Sequence, residues 1–136
     1  MTPGEMAGRI EAADGPSRPL DAEIEQVMLE PKGVQTFLVD RGRQGDYWVE
    51  ERGGEVRHAE PITASLDAAV AFVERALPGW RHGYQQEIDL SFFATLKRPR
   101  SEQWIGGQIT GQAATPAMAL VAAALRALQD AQDGAK

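Results

Sequence analysis

Thr115-Pro116-Ala117-Met118-Ala119-Leu120-Val121-Ala122-Ala123-Ala124-Leu125-Arg126-Ala127-Leu128 is the stretch whose reading decides the fold. Threonine followed by proline is a helix start. The hydroxyl can accept a bond from a free N–H of the first turn, and proline has no N–H to leave unpaired there. Met118, Leu120, Val121, Ala124, Leu125 and Leu128 share a broad helical face. The apolar run Ala117–Leu128 is interrupted by Arg126 and is too short to cross a bilayer, so it reads as a core helix. Asp130–Lys136 follows as a frayed polar tail.

The segments before this helix supply what it packs on. Gln103–Ile109, Ile88–Arg98 and Trp80–Tyr84 are expected as strands. In Ile88–Arg98, Ile88, Leu90 and Phe92 alternate with Asp89 and Ser91. Phe93, Thr95 and Lys97 then break the phase, and a bulge near Phe92-Phe93 would explain it. Thr63-Ala64-Ser65 opens a central helix with a wide stripe of Leu66, Ala69, Val70, Phe72, Val73, Ala76 and Leu77, and Pro78-Gly79 ends it. Val34–Asp40, Tyr47–Arg52 and a short Glu55–Ala59 form a hairpin or meander, with turns at Arg41–Gly45 and Gly53-Gly54. At the start, Thr2 with Pro3 and Glu5 opens a helix carrying Met6, Ile10 and Ala13. Asp14-Gly15-Pro16 stops it, and Pro19 reopens a second helix through Leu20, Ile24, Val27 and Met28 to Glu30. The order α-α-β-β-(β)-α-β-β-α has no internal repeat and no linker. It predicts one α/β (α+β) domain over residues 1–136, a three-layer α-β-α sandwich with helices on both faces of a largely antiparallel sheet.

Charge narrows the partners. Acidic residues outnumber basic ones by 20 to 14, for a net charge of −6, which argues against direct nucleic-acid binding. Residues 1–30 concentrate acids: Glu5, Glu11, Asp14, Asp21, Glu23, Glu25 and Glu30 stand against Arg9 and Arg18. The absence of cysteine excludes disulfides and thiolate metal sites, and suits a reducing cytoplasm. Residues 1–13 lack the basic-then-apolar pattern of a signal peptide.

No catalytic set emerges. His58 and His82 lie on separate elements, so no metal ligand set is expected. None of Ser17, Ser65, Ser91 and Ser101 lies in a nucleophile elbow, and Glu50-Glu51 point to opposite faces of a strand. Gly106–Ala113 has the glycine spacing of a phosphate loop. However, Gln112 stands where the lysine belongs and Ala113 where Ser or Thr would hold magnesium. It reads either as a plain turn and cap, or as a backbone anion cradle ahead of the Thr115-Pro116 helix start. Tyr47, Trp48, Trp80, Tyr84 and Trp104 lie on or beside strands, with Arg81, Lys97, Arg98 and Arg100 close in sequence. Aromatic faces with arginine suit a base and a phosphate, and they suit a packed sheet equally. The ligand-binding candidates are therefore Trp48, Trp80, Arg81, Tyr84, Arg98, Trp104 and Thr115, with no cofactor.

Three segments resemble small phage and prophage proteins of the phage α-β-α sandwich domain family. They are Arg9–Ile24 (RIEAADGPSRPLDAEI), Ile62–Val70 (ITASLDAAV) followed by Pro78-Gly79-Trp80, and Ala114–Ala127 (ATPAMALVAAALRA). The resemblance implies the sandwich fold and a phage origin through caps and core positions, and says little of chemistry. Ile62 replaces a tyrosine often found there, and Val34–Glu60 departs most from the pattern. The expectation that follows is a non-enzymatic phage accessory protein of the host cytoplasm that sequesters a small nucleotide-type ligand. The alternative is an acidic module that inhibits a host defence protein. A homodimer would be compatible with either reading.

Overall fold

The computed structural model describes residues 1–30, 36–39, 48–51, 56–98 and 108–134. Helix α1 (Pro3–Ala12) begins where Thr2 Oγ1 accepts the N–H of Glu5 at 3.1 Å. Helix α2 (Arg18–Leu29) is capped by Ser17, whose Oγ accepts from Leu20 N–H, with Pro19 in the first turn. Strands β1 (Thr36–Val39), β2 (Trp48–Glu51) and β3 (Val56–His58) form an antiparallel meander in that order. Helix α3 (Leu66–Ala76) starts from the Ser65 cap, and Gly79 follows it at φ +82°. Strands β4 (Arg81–Gln86), β5 (Phe92–Lys97) and β6 (Gln108–Ala113) make a second antiparallel sheet in sequence order. Helix α4 (Pro116–Gly134) closes the described chain.

The class is α+β, as the sequence predicts, with helices packed against sheet. The strands divide between two three-stranded sheets. Helix α4 lies along one face of β4–β6, with α1 and α3 packed on its other sides. From Ala117 to Ala127 only Arg126 escapes full burial. That pattern explains why the segment is apolar nearly all round rather than striped. Each buried Leu, Met or Val side chain there contributes roughly 1.5–3 kcal/mol. Helix α2 is two-faced. Leu20, Ile24 and Val27 enter the main core, while Ala22 and Leu29, half a turn round, form a small cluster with Ala59 on the side of β1–β3.

Two local expectations change. Ile88–Ser91 is the β4–β5 turn and not strand, and the register from Phe92↔Gln86 to Lys97↔Arg81 is continuous, with no bulge. The apparent phase break arises because Ile88 and Leu90 belong to the turn. Asp89 Oδ1 accepts the Ser91 N–H and hydroxyl, at 3.1 and 2.6 Å. Leu90 takes φ +70°, an uncommon value for leucine. The expectation for Gly106–Ala113 also shifts, since Gln108–Ala113 is strand β6 paired along its length with β5. The backbone from Gln108 onward is therefore ladder and not anion cradle. Gly111 is there for packing: a Cβ at this position would lie 2.6 Å from Ala119 O and 2.8 Å from Ala123 N. The predicted turns at 41–45 and 53–54, and the strand start at 103–107, lie outside the described residues.

Candidate functional site

Strand alternation sorts the second sheet into two faces. Ala94, Leu96, Gly111 and Ala113 turn toward α4. The opposite face carries Arg81, Gly83 and Gln85 from β4, paired with Lys97, Thr95 and Phe93 from β5. A groove of about 530 Å³ lies over this face, with Gln108 at its third-strand edge. That volume is in the range of small-molecule sites. Gly83 keeps the floor low, since a Cβ there would point into open space. Arg81 and Lys97 face each other directly across the ladder, both exposed. Two cations in register can straddle one anion. At the same end the Arg98 guanidinium lies 5.8 Å from the centroid of Trp80, whose ring is partly buried against the core. Stacking on the ring fixes the charge in place. Arg81 and Lys97 thus mark one end of the groove and Phe93 the other, four residues along β5, while Arg98 on Trp80 flanks the cationic end outside the groove lining.

Of the predicted residues, Arg81 and Tyr84 line the groove, Tyr84 from the edge strand and 47% exposed. Trp80 and Arg98 stand together beyond its end. Trp48 begins β2 and so belongs to the other sheet, paired with Val39 and His58. Trp104 lies outside the described residues, as do Tyr47 and Arg100. Thr115 has an architectural position. Its Oγ1 accepts the Met118 N–H at 3.1 Å and donates toward Thr63 O at 3.4 Å. Sequence reading passed over Gly83, Phe93, Thr95 and Gln108. The period-two phase starting from Arg81 was the signal that could have found them.

Thr115 belongs to a polar knot built on Asp21. The Asp21 side chain is fully buried on α2. Its Oδ1 accepts from Thr63 N–H at 2.8 Å and from Thr63 Oγ1 at 2.7 Å, and its Oδ2 accepts from Arg18 at 2.8 Å. Arg18 also donates to Ala59 O and contacts His58 Nε2. Burial pushes the Asp21 carboxyl above its ordinary range, partly offset by the Thr63 and Arg18 bonds. The knot ties the starts of α2, α3 and α4 together, and every member has a partner within the chain. It is therefore a structural joint. A second cleft, of about 560 Å³ between α2, α3 and β3, has Met28, Leu29 and Phe72 in its floor. Glu25 and Glu60 set against Arg75 give its rim no excess of positive charge, so the β4–β5 corner suits an anion better. Among the described residues no group of His, Asp and Glu is arranged to hold a metal ion, and no helix is long and apolar enough to cross a membrane.

No protein family, curated protein or solved structure matches the chain.

Proposed function

We propose that the protein binds and sequesters a small nucleotide-type ligand without transforming it, as a phage accessory protein acting on a host nucleotide signal. The observation that carries this reading is the cationic end of the groove, where Arg81 opposes Lys97, with Gly83 in the floor and Phe93 at the other end. A phosphate would take the two cations, and a planar base would lie along the groove toward the Phe93 ring. The phage resemblance supplies the biological setting.

The alternative, an acidic module that mimics nucleic acid to a host defence protein, has less support. Glu11, Asp21 and Glu23 are paired with Arg126, Arg18 and Arg9, which removes three acids from the surface such a partner would read. Calorimetry of the pure protein against cyclic nucleotides and ADP-ribose-type nucleotides tests the proposal. The expected result is saturable heat for at least one of them, weakened about tenfold or more by Lys97→Ala, as loss of a charge-assisted contact implies. No heat from any of them sinks it.

A further inference from the structure

We propose that two copies of this chain join edge to edge through β4, antiparallel about a twofold axis at Tyr84, to form one six-stranded sheet. This inference goes beyond ligand binding and does not depend on it. Among the described residues strand β4 is the terminal strand of its sheet, and all six of its residues are exposed. Edges are normally blunted by proline, a bulge or charge; Arg81–Gln86 has neither proline nor bulge, and its one charged residue is Arg81. At its far end the ladder continues to Glu87, whose N–H donates to Ser91 O at 2.8 Å. Ile88 follows, fully exposed.

The chemistry along the edge is complementary to itself. A twofold axis perpendicular to the sheet keeps each face on its own side, so each residue must meet one of matching parity. With Tyr84 opposite its own copy, Arg81 falls opposite Glu87 of the partner subunit. That register joins a cation to an anion and stacks the two tyrosines. Each is a favourable cross-strand pairing. It also sets a carboxylate beside Arg81, which already faces Lys97. Shifting the axis to Gly83 instead pairs Arg81 with Gln85 and leaves Glu87 without a cation opposite it.

The absence of cysteine allows a direct test. Opposed residues of an antiparallel pair have Cα atoms about 4.5–5.5 Å apart, within disulfide reach. Tyr84→Cys should therefore give a covalent dimer under mild oxidation. Ile88→Cys, at a more exposed position, should not, because its copies would be eight residues apart along the strand direction, about 26 Å. Sedimentation of the ligand-free protein should show a dimer for the native chain, a monomer for Arg81→Glu and a dimer again for Arg81→Glu combined with Glu87→Arg. Circular dichroism would check that each variant is folded. A native monomer at 100 µM, equal cross-linking of the two cysteine variants, a dimeric Arg81→Glu protein or no recovery in the double variant overturns the proposal. Lys97 lies on the central strand and has no part in this edge, so these outcomes are separate from the ligand test.

Discussion

Asp21 carries more of the architecture than any other single polar residue. Its carboxylate holds the Thr63 backbone, the Thr63 hydroxyl and the Arg18 guanidinium at once, all with little or no water. Removing it strands those donors and an ion-pair partner. Asp21→Ala should cost about 3 kcal/mol or more in denaturant unfolding, the usual consequence of breaking a buried pair on one side. Thr115→Ala, at the edge of the same knot, should cost only about 1 kcal/mol, as a lost helix cap does. The caps at Thr2, Ser65 and Thr115 were legible in the sequence because capping is a local geometry. The Asp21–Thr63 bond was not. It spans 42 residues, and nothing in Arg18-Pro19-Leu20-Asp21 distinguishes a buried aspartate from a solvated one in an acidic helix.

At the scale of elements, α4 and the second sheet fit by close approach. Gly111 lets the backbone of β6 come against the Ala-rich face of α4, and the atoms a methyl would strike are backbone atoms that cannot turn aside. Gly111→Ala should therefore destabilise the fold by about 1–3 kcal/mol, the range for overpacking, although alanine is the smallest replacement available. Thermal unfolding measures it directly. The helices were legible from their 3.6-residue stripes and punctuation. The β4–β5 turn was hidden because Ile88 and Leu90 imitate the alternation of a strand, and a leucine at positive φ leaves no mark in the sequence. The aspartate and serine that set the turn were present, but read as the polar face of that strand.

Across the whole molecule, Glu11 on α1, Arg126 on α4 and the Gln112 N–H on β6 close the structure at one point. Arg126 makes a two-pronged contact with the Glu11 carboxylate, and Gln112 N–H donates to the same group at 2.8 Å. This explains the one charge that interrupts the apolar helix. Burial acts to raise the Glu11 pKa, but the Arg126 bonds, the Gln112 N–H and the guanidinium charge together hold it below the ordinary glutamate range. A lowered folded value means the contribution is fully present above the ordinary glutamate range and is lost as pH falls through the lowered folded value. Glu11→Gln should cost about 1–2 kcal/mol at neutral pH, and the difference from the native chain should vanish in acid below that window. Asp21 runs the other way, since its raised value favours the folded state most below the ordinary aspartate range and less as pH rises.

The candidate site was half legible. The composition of Trp80-Arg81 and Lys97-Arg98 suggested an anion and an aromatic ligand. Which side chains share a face, and that Trp48 belongs to another sheet, depended on register. The central claim, that this corner receives a phosphate-bearing ligand, is tested most directly by titrating the ¹⁵N-labelled chain with ADP-ribose and a cyclic dinucleotide. The account predicts saturable amide shifts over Arg81–Gln85 and Phe93–Arg98 with at least one of them. No shifts there with either, or shifts confined to the acidic surface of α1 and α2, would contradict it.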